Sequence, residues 1–402
     1  MSIIRDVTLE AEKQLVGDEV LLFIGPRQAG KTTILKQLEN SLQKRQKPVY
    51  FLNLEDPDYL TLLNKSPKNL FKIFTLDLGK KNFVIIDEVQ YLDNPSNFLK
   101  YFYDEYGGRI KILASGSSAF YLDKKFKDSL AGRKKIFNVK TLSFREFLRF
   151  KGEDLLAKRN FRDLSLSDRD KATRHYHEFV VYGGYPRAVL APLSEREEIL
   201  RDIAYSYIKK DIFEANIRQD EVFYRLLKLL AVQVGNLVNA SELANTLGVS
   251  KTSIDNYLYV MRKSFHINLV RPFFRNARKE ITKMPKIYFG DLGLRNFLVS
   301  NFSSFEMRSD KGQLLENATF RQLLESFGED SIKFWRTNQG QEIDFVAKGK
   351  QAFEVKVDPG QFKASKYKAF IEEYPEISVT VVSLNTEEKS VSGYEVVNAW
   401  EV

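Results

Sequence analysis

The sequence predicts a multidomain α/β protein: a parallel-sheet core, a helical segment, a helix-turn-helix with a wing, and a terminal α+β domain. Three observations carry this. Short apolar strands alternate with amphipathic helices through the first part of the chain, and a glycine-rich turn joins the first strand to its helix. The chain then closes on EIDFVAKGKQAFEVKV, residues 342 to 357, where acids and a lysine alternate with apolar residues across a hairpin. At 402 residues there is material for two to four domains, at roughly 100 to 200 residues each.

Composition narrows the chemistry. With no cysteine and three histidines (His175, His177, His266), disulfides, thiolate zinc sites and cysteine nucleophiles are excluded, so any metal should sit on oxygen ligands. The longest apolar run near the start, VLLFI at 20 to 24, falls short of a spanning segment and no leader pattern precedes it. The expectation is a cytoplasmic protein with no membrane partner. A net charge of +9 points to nucleic acid only where the basic residues cluster.

The first strand, Val20 to Ile24, runs through GPRQAGKT into a helix, which is G-x-x-x-x-G-K-T in strand-loop-helix context. Gly25 and Gly30 permit close approach of backbone to phosphate. The N–H groups of Gln28, Ala29, Gly30, Lys31, Thr32 and Thr33 converge at a helix N-terminus, where the dipole adds positive potential. Lys31 is expected on the β and γ phosphates of ATP, and Thr32 on Mg²⁺. A second apolar strand, FVIIDE at 83 to 88, ends in two acids. Asp87 suits the orientation of Mg²⁺ and Glu88 the polarisation of the attacking water. RIKILASGSS at 109 to 118 leaves hydroxyls at a strand's carboxyl end, so Ser115 or Ser117 is expected near the γ phosphate, or else as part of a polar turn.

In order, GPRQAGKTT, IIDEVQ, ASGSS, SLAGR and LSFREF resemble the AAA-type P-loop ATPases of bacteria and archaea that carry a C-terminal domain of unassigned role. The resemblance implies a five-stranded parallel sheet in which an extra strand separates the phosphate-loop strand from the Asp-Glu strand. It also makes Arg133, in SLAGR, an arginine finger, acting in its own chain or on a neighbour in a homo-oligomer. The plainer reading of Arg133 is one member of the exposed run Arg133, Lys134, Lys135. YGGYPRAVL at 182 to 190 resembles the family's lid segment, with Arg187 as a nucleotide-sensing residue or an ordinary surface cation.

The stretch 239 to 267 reads as a helix-turn-helix with Ser241 as N-cap and GVS as the turn. Its second helix would present Lys251, Thr252, Ser253, Asp255 and Asn256 to DNA, or to a protein. From Arg262 to Lys286 the chain carries eight lysines or arginines against one acid, Glu280, interleaved with Phe273 and Phe274. Arg275, Arg278 and Lys279 are expected to track DNA phosphates.

In the closing hairpin, a half-buried sheet must place Ile343 and Phe345 on one face with Phe353, Val355 and Val357, which requires odd positions to pair with odd. That register puts Asp344, Glu354 and Lys356 together on the other face. Upstream, Glu316 shares an apolar helix stripe with Phe320, Leu323 and Phe327 and needs a partner. The order helix acid, WRT strand, Asp344, Glu354-Val355-Lys356 resembles the PD-(D/E)xK nuclease fold, without a proline before Asp344. The resemblance implies Mg²⁺ or Mn²⁺ on Glu316, Asp344 and Glu354, with Lys356 assisting the cut. The alternatives are a nuclease-like domain used for contact, or a solvated face.

The expected division is an ATPase core at 1–148, a helical lid at 149–220, a winged helix at 221–290 and a nuclease-like domain at 291–402. The expected function is ATP binding and hydrolysis with DNA binding and metal-dependent cleavage. The rival is a nucleotide-switched regulatory or scaffold ATPase whose terminal domain does not cut.

Overall fold

A computed structural model describes every residue except 1–2, 117–129, 275, 277, 279, 281, 282 and 385, and the side chain of Tyr207. Ser117, Arg275 and Lys279 therefore lie outside the described residues. The chain divides into two compact units, the first comprising 1–141, 210–216 and 263–265, and the second 142–209, 217–262 and 266–402.

The first unit is built on β1 (Val20–Ile24), β2 (Val49–Asn53), β3 (Asn82–Asp87), β4 (Ile110–Gly116) and β5 (Lys134–Asn138). They form one sheet in the order β2-β3-β4-β1-β5, every neighbouring pair parallel. The extra strand between β1 and β3 is β4. Alternation along β1 explains why the strands read as unbroken apolar runs, because both faces are covered. Leu21 and Phe23 pack with Ile34, Leu35 and Leu38 of the Lys31–Lys44 helix, while Val20, Leu22 and Ile24 pack with Phe98, Leu99 and Phe102 of the Pro95–Tyr106 helix.

The second unit holds a six-stranded mixed sheet in the order β12-β13-β11-β10-β9-β8, from β8 (Ile332–Arg336), β9 (Glu342–Ala347), β10 (Gln351–Val355), β11 (Ser378–Ser383), β12 (Ser390–Val391) and β13 (Tyr394–Asn398). A separate antiparallel pair, β6 (Ile267–Val270) and β7 (Lys286–Phe289), follows the helices Asp220–Val232, Ala240–Leu247 and Lys251–Lys263. One continuous apolar core runs from Leu142 through Tyr176, Val270, Tyr288, Phe320 and Phe345 to Trp400. The expected lid, wing and terminal segments thus share a core, and the expected boundary at 148 falls inside the Phe144–Phe150 helix.

Two quoted motifs turn out to be structural. In LSFREF, Ser143 and Glu146 form a reciprocal capping box. In YGGYP, a Cβ on Gly183 would come within 2.3 Å of the Asp291 carboxylate and one on Gly184 within 2.5 Å of the Leu142 carbonyl, so the glycines serve close packing.

Candidate functional sites

In the first unit the phosphate loop leaves β1 with Gln28 at φ 58° and Gly30 at φ 96°, both left-handed, and the helix starts at Lys31. Gly25 has a reason beyond phosphate approach: a Cβ there would lie 1.8 Å from the Val139 carbonyl oxygen. Arg5 donates to the Ala29 carbonyl at 2.8 Å and the Lys140 carbonyl at 2.9 Å, tying the loop to the chain leaving β5. Gln28, Thr32 and Thr33 are exposed, whereas Ala29 is buried.

Lys31 is buried and donates to the carbonyls of Gly25 at 3.0 Å and Pro26 at 2.8 Å. Burial pushes its ammonium down to about 8, against the pull of Glu88 and Asp87. Thr32 Oγ1 donates to Asp87 Oδ2 at 2.7 Å, and the Ser115 hydroxyl donates to the other Asp87 oxygen. Ser115 also accepts from the Glu88 N–H at 3.1 Å. Fully buried, it bridges the two acids. Glu88 itself is left-handed at φ 58°, and its carboxylate accepts from Gln90.

Sequence reasoning passed over Arg27, the loop's second cation. It lies 2.5 Å from Glu214 and 3.8 Å from Asp211. No local pattern pairs a loop arginine with acids so distant in sequence. Arg133 sits elsewhere: its carbonyl accepts from Val20 N–H at 2.9 Å, and Lys134 pairs with Val20. Because β5 runs parallel to β1, Arg133 is at the end of the sheet opposite the loop, roughly 20 Å away along the strands at ~3.3 Å per residue. Its guanidinium pairs with Asp104 at 2.7 Å.

In the second unit, Arg187 is largely exposed on the Pro186–Leu190 helix, 3.9 Å from Asp202. The Lys251–Lys263 helix buries Ile254, Tyr257, Leu258 and Met261 and exposes Lys251, Thr252, Asp255 and Asn256. Ser253 is engaged with the Ser250 hydroxyl at 2.9 Å. The preceding helix is capped by Asn239, which accepts from Ser241 N–H at 3.1 Å, so Ser241 is inside the helix and not its cap. Arg278 is exposed. The rest of the basic run is less uniform: Arg262 faces Glu329 at 3.5 Å, Glu280 pairs with Lys333 at 2.6 Å, Phe273 packs on Tyr374, and Lys286 is buried.

The hairpin register pairs odd with odd: Gln351 with Ala347, Phe353 with Phe345. The premise of a half-buried sheet does not hold, however. Val346 and Ala352 belong to a second core with Phe362, Tyr367 and Phe370, and Ile343 joins that core beside an irregularity in the β8–β9 ladder. Asp344 and Glu354 are consequently buried rather than solvated. Asp344 N–H donates to Glu354 at 3.3 Å, and Val355 N–H donates to Asp344 at 2.8 Å. Glu354 accepts from Lys356 and, at 2.7 Å, from the Tyr367 hydroxyl. Burial pushes Glu354 up to about 8, Asp344 adding and Lys356 opposing.

Glu316 approaches from the Lys311–Phe327 helix, but its partners are Lys286 at 3.0 Å and the Tyr288 hydroxyl at 2.5 Å, both on β7. Burial raises it to about 7 despite Lys286. Among the described residues, no group of three or more histidine, cysteine or carboxylate side chains is arranged to hold a metal. Lys286, Tyr288, Glu342 and Tyr367 were not singled out from sequence. The signal for Lys286 was available: a lysine opening an apolar strand, KIYF, at the end of a basic run.

Residues 17–148 match an AAA domain family, 173–305 a domain of unknown function (DUF8612), and 311–402 a second one (DUF4143). An uncharacterized protein of Methanocaldococcus jannaschii is 26% identical over 351 residues, 85% of this chain and 75% of that one. One from Haemophilus influenzae is 25% identical over 342 residues, 82% of this chain and 80% of that one. Among solved structures, the Aeropyrum pernix ORC2 protein in its ADP form aligns at TM-score 0.37 and 14% identity over 76% of this chain and 96% of that chain. AMPPCP-bound DnaA from Aquifex aeolicus aligns at TM-score 0.32 and 17% identity over 64% and 86%. Among the described residues, no helix is long and apolar enough to cross a membrane.

Proposed function

We propose that the first unit binds and hydrolyses ATP with Mg²⁺, and that nucleotide state governs what the second unit contacts. The observation that carries the first half is the chain of contacts Thr32–Asp87–Ser115–Glu88 beside a G-x-x-x-x-G-K-T loop, within residues that match an AAA domain. The residues fit the ligand. A hydroxyl and a carboxylate 2.7 Å apart are a hard-cation pair, and the exposed helix N-terminus offers N–H donors to phosphate. Bound Mg²⁺ supplies neutralisation of charge on the β and γ phosphates. Lys31 exchanges two loop carbonyls for phosphate oxygens, Glu88 orients and deprotonates the water, and Ser115 positions both acids. Arg133 is assigned to the nucleotide of a neighbouring copy.

DNA is the partner suggested for Lys251, Thr252 and Asn256 on the exposed helix face, with Ser253 beside them, and for Arg275, Arg278 and Lys279 of the basic run in the sequence. A second reading, cleavage by Asp344, Glu354 and Lys356, draws support from their adjacency. The metal does not fit there, since the carboxylates are already engaged by Lys286, Lys356 and two tyrosines. We therefore favour a nucleotide-switched ATPase whose terminal domain makes contacts without cutting.

The test is nucleotide binding and turnover in two variants. Lys31→Ala loses binding or turnover by at least ~100-fold, while Glu88→Gln retains binding and stops hydrolysis. Turnover near the parental rate in either variant rejects the reading.

A further inference from the structure

The carboxylates of Glu316, Glu342 and Asp344 surround one buried ammonium. Lys286 Nζ lies 2.5 Å from Glu342, 3.0 Å from Glu316 and 3.7 Å from Asp344, and its side chain is 2% exposed. The backbone is shaped around this arrangement: Gly235 is left-handed at φ +79°, and a Cβ there would come within 2.9 Å of the Glu316 carboxylate.

We propose that Lys286 is the resident cation of this site, so that Glu316, Glu342 and Asp344 take no divalent metal and instead clamp the β6–β7 hairpin to the terminal sheet. The inference deepens the reading of a non-cutting terminal domain and rests on it. Oxygen occupancy supports it. One oxygen of Glu316 receives both Lys286 and the Tyr288 hydroxyl. Asp344 faces Lys286 with one oxygen and accepts Val355 N–H with the other. Glu354 accepts Lys356 and Tyr367 on one oxygen and Asp344 N–H on the other. A divalent ion would have to displace these donors and lie beside a buried ammonium, with little solvent between them.

Charge balance makes a sharper statement. Glu316, Glu342, Asp344 and Glu354 are opposed by Lys286, Lys356 and Arg336, the last 3.1 Å from Glu342. Removing the lysine charge takes away the ammonium that Glu316, Glu342 and Asp344 share and leaves an excess of negative charge on oxygen donors suited to Mg²⁺ or Mn²⁺.

The experiment titrates nucleotide-free, EDTA-stripped full-length protein with Mn²⁺, read by electron paramagnetic resonance and by thermal unfolding. Wild type should show no Mn²⁺ site that depends on Asp344, whereas Lys286→Met should gain one, with a rise in Tm that Asp344→Asn abolishes. A wild-type Mn²⁺ site lost on Asp344→Asn overturns the proposal, as does folded Lys286→Met that takes no Mn²⁺. If Lys286→Met folds only with Mn²⁺, the proposal stands; if it folds under neither condition, the wild-type comparison with Asp344→Asn decides. Nuclease assay of wild type with Mg²⁺ or Mn²⁺ tests the non-cutting reading separately: cutting without an Asp344-dependent Mn²⁺ site would fail that reading alone.

Discussion

Arg27, in the middle of the phosphate loop, lies 2.5 Å from Glu214 in the last turn of the Arg196–Glu214 helix, with buried Asp211 3.8 Å away. One of the loop's two cations is therefore neutralised by acids before any polyanion arrives. Asp211 and Glu214 belong to the segment 210–216, which is part of the first unit although the sequence between it and residue 141 is not. A triphosphate bound at the loop would have to compete with Glu214 for Arg27.

Glu214→Gln should accordingly tighten nucleotide binding by roughly 3- to 10-fold, since a hydrogen bond to a charged group is worth about 1.5–3 kcal/mol and only part of it is recovered. Fluorescent-nucleotide titration checks this. Unchanged or weaker affinity would mean that the acids do not compete with phosphate.

Arg133 is placed by β-strand direction at the far end of the sheet, paired with Asp104. Arg133→Ala should leave nucleotide affinity and turnover at high dilution within about 2-fold of wild type, because it lies at the far end of the sheet from the loop of its own chain, and should remove any rise of specific activity with protein concentration. A ~100-fold loss at high dilution would place the arginine back in its own site.

For the exposed helix face, Lys251→Ala combined with Arg278→Ala should weaken duplex binding without altering ATP turnover in the absence of DNA. Each lost phosphate contact lowers the slope of log affinity against log salt by about 0.9. A parental slope would show these side chains to be ordinary solvated surface.

Burial holds Glu354 up at about 8, above its ordinary value of 4.5. The folded chain then keeps a proton that the unfolded chain has released, so stability falls as pH rises from the unfolded value through the folded one, and levels beyond it. The slope approaches ~1.4 kcal/mol per pH unit where the two states differ by a whole proton. Denaturant unfolding in EDTA between pH 5 and 9 should show this decline, and Glu354→Gln should be flatter than wild type. Equal slopes in the two proteins would show that the carboxyl titrates at its ordinary value when folded.

The sequence by itself determined the parts whose signals are local. G-x-x-x-x-G-K-T between an apolar strand and a helix located the phosphate loop, because backbone convergence at that turn depends only on spacing and glycine. Two acids ending an apolar strand located Asp87 and Glu88. The odd-with-odd register of the closing hairpin also matched the alternation, although the half-buried sheet from which it was argued is covered by apolar cores on both faces.

What only the tertiary structure decided are the partners brought from a distance. The second core covering the β8–β13 sheet buried Asp344 and Glu354, which alternation alone had placed on an open face. Parallel pairing of β5 with β1 carried Arg133 away from the loop that its neighbours in sequence had suggested for it. Lys286 reads as one more cation in a basic run, yet its strand packs where three carboxylates meet, and Arg27 finds its acids across more than 180 positions of chain. The physical reason is the same in each case: a charge taken out of water must be met by an opposite charge or a donor, and which one meets it depends on packing that no local pattern encodes.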